Sequence, residues 1–242
     1  MNRQTTASVS VFSALAGAAT LMLSGFGPAL AASDDDTRFT DLRFSATLAG
    51  RRGEISSSGV TNIDDKSAWD TAFRFSADWI RGLGHDGLGL ALGFGVSYDD
   101  RSRTPQSGAG YGLPGYNGNQ AYGANYQYRA IVPRFELGPY LRISRFLNLE
   151  LIGHAGYGLA TLQIENNQTG GRAYSDTAPV RCFGADLNLI FAESYEDPFL
   201  GVSFGWLGMD SKHQIKSPTS GTGTYHVKSG DINASFIVGY RF

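Results

Sequence analysis

The last eleven residues alternate without a break: Ile232, Ala234, Phe236, Val238, Tyr240 and Phe242 fall on one face of an extended chain, and Asp231, Asn233, Ser235 and Arg241 on the other. Side chains in a β-strand point to opposite faces in turn. One wholly apolar face therefore needs a nonpolar medium on that side and something wet on the other. A strand of this kind at the end of a chain is the pattern of a membrane strand.

The opposite end fits a chain that is exported. Arg3 precedes an apolar stretch from Val9 to Leu23, followed by Gly25, Pro28 and the small-x-small run Ala29-Leu30-Ala31. Residues 1–31 read as a cleaved secretory signal peptide, since the stretch is short and broken by Ser13, Gly17, Thr20 and Ser24. That leaves residues 32–242 as one domain, opening on the acidic Asp34, Asp35 and Asp36.

With a mean hydropathy of -0.18, no window after residue 31 approaches the ~18 apolar residues that a spanning helix needs. The choice narrows to a soluble all-β protein or a membrane barrel. The 32 Gly, 12 Tyr and 15 Phe beside a single Cys favour short strands and aromatic belts. Cys182 has no second cysteine to pair with. A net charge of -2 gives no ground for nucleic acid as a partner.

Eight alternating segments follow, at about 38–51, 67–80, 88–98, 122–143, 149–164, 180–191, 199–208 and 232–242. In the second, Trp69, Thr71, Phe73, Phe75, Ala77 and Trp79 oppose Asp70, Arg74, Ser76 and Asp78. Its two Trp are ten positions apart, which at ~3.3 Å per residue and a tilt of ~40° spans ~25 Å of membrane normal. Trp69, Trp79, Tyr98 and Trp206 are accordingly expected at the membrane interfaces. The fourth segment changes parity at Pro133: Tyr126, Tyr128, Ala130 and Val132 precede it, and Phe135, Leu137, Leu141 and Ile143 follow on the other face. Proline lacks a ladder donor, so a bulge there is expected.

Short connections at 81–87, 144–148 and 192–198 alternate with long polar ones at 53–66, 99–121, 165–179 and 209–224. The expected fold is all-β: an eight-stranded antiparallel transmembrane up-and-down barrel with both termini on the short-turn side. Closure leaves no strand edge unpaired in lipid.

Gly239-Tyr240-Arg241-Phe242 resembles the C-terminal assembly signal of outer-membrane β-barrels, and Leu137-Gly138-Pro139-Tyr140-Leu141-Arg142 is similar to a recurring segment of small opacity-protein-like and OmpA-type barrels. The resemblance implies a bacterial outer-membrane location, contact with outer-membrane lipids and insertion by the barrel-assembly machinery. Phe236, Val238, Tyr240 and Phe242 would carry the assembly signal. OmpA-type proteins add a peptidoglycan-binding domain after the barrel, which is not expected here.

The residues expected to face the lumen are Arg43, Arg51, Asp70, Arg74, Asp78, Arg134, Glu136, Arg142, Glu150, Asp186, Asp231 and Arg241. An eight-stranded interior is just wide enough to fill with side chains, so these charges are expected to pair as a plug. The alternative is a narrow porin-like channel. Of the histidines, His85 falls in a turn, His154 faces the lumen alone, and His213 and His226 flank the last long connection. None has metal-ligand spacing, and no metal or cofactor is expected. Met209-Asp210-Ser211-Lys212-His213 holds a nucleophile, a base and an acid. Parity puts Ser211 and His213 on the lumen side, away from lipid, which disfavours a lipid A-modifying enzyme. The glycine-rich run 108–118 lacks the Lys and helix of a phosphate loop. With Tyr111, Tyr116, Tyr122, Tyr126 and Tyr128 it offers contact surface for an extracellular ligand. The expectation is a non-enzymatic barrel with a structural or surface-interaction role.

Overall fold

The computed structural model describes residues 38–49, 53–58, 63–65, 69–85, 87–103, 124–144, 146–166, 173–192, 197–217 and 221–242. The expected signal peptide, Arg51 and the glycine-rich run lie outside them. Among the described residues ten strands form: β1 (Phe39–Ala49), β2 (Gly53–Ser58), β3 (Ile63–Asp65), β4 (Thr71–His85), β5 (Leu88–Arg103), β6 (Ala124–Ser144), β7 (Leu147–Asn166), β8 (Ala173–Phe191), β9 (Pro198–Ser217) and β10 (Gly221–Arg241).

β1, β4, β5, β6, β7, β8, β9 and β10 pair in that order and antiparallel throughout, and β1 pairs back onto β10, which closes an eight-membered ring. β2 continues β1 in register: Ala49 lies opposite Asn233, and four residues on, Gly53 lies opposite Ser229. β3 pairs with β2 as β4 pairs with β1, one residue out of register, so the ten strands are eight walls of a transmembrane barrel. Between β4 and β5, Gly87 takes φ 83°, a conformation that side chains disfavour.

Along the lower barrel the outer face carries Phe44, Phe75, Phe94, Phe135, Leu151, Phe183, Phe204 and Phe236, all exposed. The inner face carries Arg43, Arg74, Asp78, Glu136 and Glu150, all buried. Exposed apolar and buried charged side chains are the reverse of a soluble protein and suit a lipid exterior.

Above this band the polarity inverts. On β9, Met209, Ser211, His213 and Ile215 are buried, and Lys212, Gln214 and Lys216 are exposed. Inside, Trp69, Tyr126, Tyr128, Leu162, Ile164, Val180, Leu207, Met209, Ile215, Tyr225 and Val227 pack into one apolar cluster. The chain therefore builds a membrane barrel below and a water-facing barrel with an apolar core above, on the same eight walls.

This inversion corrects three expectations. β5 and β6 keep one register from Leu88–Leu141 to Arg103–Tyr126, so there is no bulge at Pro133. The apolar set changes face there because the medium outside changes from lipid to water. Second, Trp69 is only 2% exposed and packs on Tyr128, with ring centroids 6.0 Å apart, so it is no interfacial anchor. Leu48 to Ile55 is seven steps, but their partners Phe73 and Asp65 are eight apart. That extra residue turns Trp69 inward and Asp70 out, which removes Asp70 from the lumen. Third, most of the long connection at 209–224 is strand, with β9 reaching Ser217 and β10 beginning at Gly221. Its polar residues face water without leaving the ladder.

Candidate functional site

Three groups of ion pairs fill the lower lumen. At the base, Arg43 on β1 donates to Glu150 on β7 at 2.5 and 2.8 Å and to Asp41 at 2.7 Å. Arg241 on β10 closes the group with two bonds to Asp41, at 2.8 and 2.9 Å. Its guanidinium lies 4.4 Å from the Phe39 ring centroid, a cation–π contact that covers the base. Across the middle, Arg134 reaches Asp78 at 2.9 Å, Glu136 at 2.8 Å and Ser76 at 3.1 Å. His154 Nδ1 stands 3.5 Å from Asp186, so it does not face the lumen alone. Higher up, Asp99 on β5 receives Arg74 at 2.6 Å and Arg101 at 2.7 Å.

Bare backbone makes room for these groups. A methyl added at Gly95 would collide with the Asp78 carboxylate, and one at Gly205 with that of Asp186. The glycines that strip the inner faces of β5 and β9 are thus the holes into which neighbouring carboxylates fit. What remains is a cavity of about 40 Å³ lined by Arg43, Arg74, Asp78, Arg134, Glu136, His154 and Asp186. It has room for about one water.

Of the residues expected to face the lumen, Arg43, Arg74, Asp78, Arg134, Glu136, Glu150, Asp186 and Arg241 lie on the inner side of the ring, and Asp70 lies on the outer side. Arg142 is half-buried at the short-turn end of β6, and the side chain of Asp231 lies outside those described. Asp41, Asp99 and Arg101 were missed, although all three are buried in the network. A signal exists for Asp99 and Arg101, which continue the inward parity of Ser97 but read as loop because the outer face turns polar at Asp100. Of the expected interfacial aromatics, Trp79, Tyr98 and Trp206 do face outward. Trp79 packs on Phe94 at 5.4 Å, and Tyr98 donates to Asp100 at 3.2 Å. Phe236, Val238, Tyr240 and Phe242 are exposed on the outer wall, with Tyr240 and Phe242 edge to face at 5.0 Å.

A second constellation lies in the upper wall. β8 pairs with β9 only up to Val180–Ser211, although β8 stays paired with β7 as far as Ala173 and β9 with β10 as far as Ser217. Side chains close this seam. The Gln214 backbone N–H donates to Asp176 Oδ2 at 2.7 Å, and His213 Nδ1 lies 3.2 Å from the Asp176 carbonyl oxygen. A carbonyl can only accept, so Nδ1 carries the proton and Nε2 accepts from Ser211 Oγ at 3.0 Å. Tyr128 OH completes the chain at 3.2 Å from Ser211 Oγ. Ser211 and His213 are 2% and 0% exposed. The three residue types of a hydrolytic triad therefore meet, with the imidazole 3.8 Å from the Asp176 carboxylate. Ser211 and His213 sit between the core residues Met209 and Ile215 of β9, while the Asp176 side chain stays 29% exposed, and together they link β8 to β9.

Neither a family model nor a curated sequence matches the chain. Solved structures similar to it include the outer membrane protease OmpT from Escherichia coli, at 12% identity over 88% of this chain and 99% of that one, with a TM-score of 0.46. Neisserial surface protein A is similar at 14% identity over 82% and 96% of the two chains, with a TM-score of 0.36. The attachment invasion locus protein Ail of Yersinia pestis is similar at 12% identity over 82% and 98%, with a TM-score of 0.33.

Proposed function

We propose that this chain is a bacterial outer-membrane barrel, exported by a cleaved signal peptide and inserted by the barrel-assembly machinery. Its role is structural or in surface interaction, and it carries out no chemistry of its own. The observation that supports this reading is the occupied interior: paired charges fill the lower lumen and an apolar core caps it. Nothing passes through such a wall, so its contacts with lipid, and with ligands at its outer end, are what remain for it to work with.

Planar-bilayer recording of the purified protein tests this. The expected trace has no reproducible conductance steps; regular steps of one size would replace this reading with the narrow porin-like channel. The rival of a lipid A-modifying enzyme draws on Ser211, His213 and Asp176. Ser211→Ala and His213→Ala are expected to leave the lipid A profile of an expressing strain unchanged. A wild-type modification that disappears in both variants would overturn the non-enzymatic assignment.

A further inference from the structure

We infer that the outer face of β8, β9 and β10, just above the apolar band, binds a phosphorylated glycolipid of the outer leaflet. The inference rests on the outer-membrane reading and adds a partner to it.

The sheet register assembles the site. Arg181, Asp210 and Lys228 form one row across the three strands, since Arg181 and Lys228 each lie directly opposite Asp210. Lys212 follows two residues above Asp210 on the same face, opposite His226. At ~4.8 Å between strands and ~3.3 Å per residue, the three cations stand within ~10 Å of one another. Arg181, Lys212 and Lys228 are exposed, and none forms an ion pair with a described residue. The acid among them is engaged elsewhere: Asp210 Oδ1 accepts from His226 Nε2 at 2.7 Å. On β5 and β6, by contrast, the exposed Arg129 is matched by Asp100 at 3.4 Å.

The row beneath is built for an acyl chain. It runs Phe183, Gly208, Gly230, and the indole of Trp206 lies over the two glycines. A Cβ at Gly208 would sit 3.0 Å from the indole, so glycine there lets the ring lie flat against the strands. Phe183 meets that ring edge to face at 5.2 Å, and Ile232, opposite Trp206, is 77% exposed. The result is an apolar floor in continuity with the lipid band, directly under a cluster of unpaired cations. Guanidinium and ammonium groups complement phosphate, the first through its bidentate fork. A free anion would use the cations and leave the aromatic floor idle. A lipid with a phosphorylated head uses both.

The test is native mass spectrometry of the protein extracted from membranes in detergent, titrated with bisphosphorylated lipid A, dephosphorylated lipid A and inorganic pyrophosphate. The wild type is expected to bind bisphosphorylated lipid A at least tenfold more tightly than the dephosphorylated form. Arg181→Gln/Lys212→Gln/Lys228→Gln is expected to lose that preference, and Trp206→Ala to weaken both lipids. A heat-modifiable gel shift identical to wild type certifies that each variant is folded. Equal binding of the two lipids by a folded wild type, or an unchanged preference in the folded triple variant, overturns the proposal alone. Displacement of the lipid by millimolar pyrophosphate also overturns it, because the patch would then be a general anion surface. A wild type with no compact form would overturn the barrel reading, and this proposal with it.

Discussion

Replacing Arg43 with Met isolates the energetics of the plug. Arg43 is 2% exposed and holds Asp41 and Glu150 together, but the two carboxylates do not depend on it equally. Asp41 keeps both bonds from Arg241. Among the described residues Glu150 keeps only Asn188, at 3.5 Å, and becomes a buried carboxylate with no counter-ion bonded to it. Breaking a buried pair from one side costs about 3–5 kcal/mol, because the abandoned charge keeps its desolvation penalty. That lowers the folding equilibrium constant by roughly two to four orders of magnitude. Removing both partners, as in Arg43→Met/Glu150→Met, takes the penalty away and leaves apolar groups of similar volume. The double variant should recover to within about 1–2 kcal/mol of wild type. Urea unfolding of the protein in lipid vesicles, followed by tryptophan fluorescence, measures each corner of the cycle. A single-variant loss below about 1 kcal/mol, or a double variant no more stable than Arg43→Met, would refute the claim that the lumen is held by desolvated ion pairs.

The same unfolding assay separates a lumenal glycine, Gly205, from an outward-facing one, Gly153. Gly205→Ala should cost about 1–3 kcal/mol by overpacking against Asp186, while Gly153→Ala, whose added methyl would meet nothing closer than 3.5 Å, should be nearly neutral. Trp69→Ala should cost about 3–5 kcal/mol as a large truncation in the upper core, more than Trp79→Ala on the outer wall; equal losses would return Trp69 to the surface. Deletion of Phe242, whose N–H donates to the Thr40 carbonyl at 2.8 Å, should reduce the amount of assembled barrel more than its unfolding midpoint. Normal outer-membrane levels after that deletion would remove the assembly signal from the terminus.

The membrane half of the fold was legible because lipid imposes one rule on every strand: apolar out, with the lumen free to be polar. The water-facing half was not, because the rule there runs the other way. Tyr126 and Tyr128 alternate as Phe135 and Leu137 do, and nothing local says that the first pair meets a core and the second meets lipid. From the sequence the change of face therefore reads as a feature of the backbone at Pro133, and the polar outer residues Lys212, Gln214 and Lys216 read as a loop. The lumenal charges follow the same division. Parity alone shows that Arg43 and Glu150 point inward, but they lie 107 residues apart, and only the stagger of the closed ring brings their side chains to one height. The link between Ser211, His213 and Asp176 was half visible. Its Ser and His lie two residues apart on one face, whereas Asp176 joins them through the unpaired seam, which no local pattern announces.

The inverted upper barrel also bears on where a partner can be met. From Asp210 to the end of β9 at Ser217 is eight residues of strand, which at ~3.3 Å per residue and a tilt of ~40° carries the wall ~20 Å above the lipid band. A wall of that height would be unstable as a hollow tube in water, since its inner face would gain nothing from closure. Filling it with Trp69, Tyr126, Tyr128, Leu162, Ile164, Tyr225 and their neighbours gives it the dry core of a soluble protein. The outward side chains of β8, β9 and β10 are then held on paired strands backed by that core, apart from the seam above Ser211, where Asp176 and His213 tie β8 to β9. Arg181, Asp210 and Lys228 keep fixed spacings for that reason, and a rigid row of charges just above an aromatic floor recognises a lipid head at lower entropic cost than a flexible loop would.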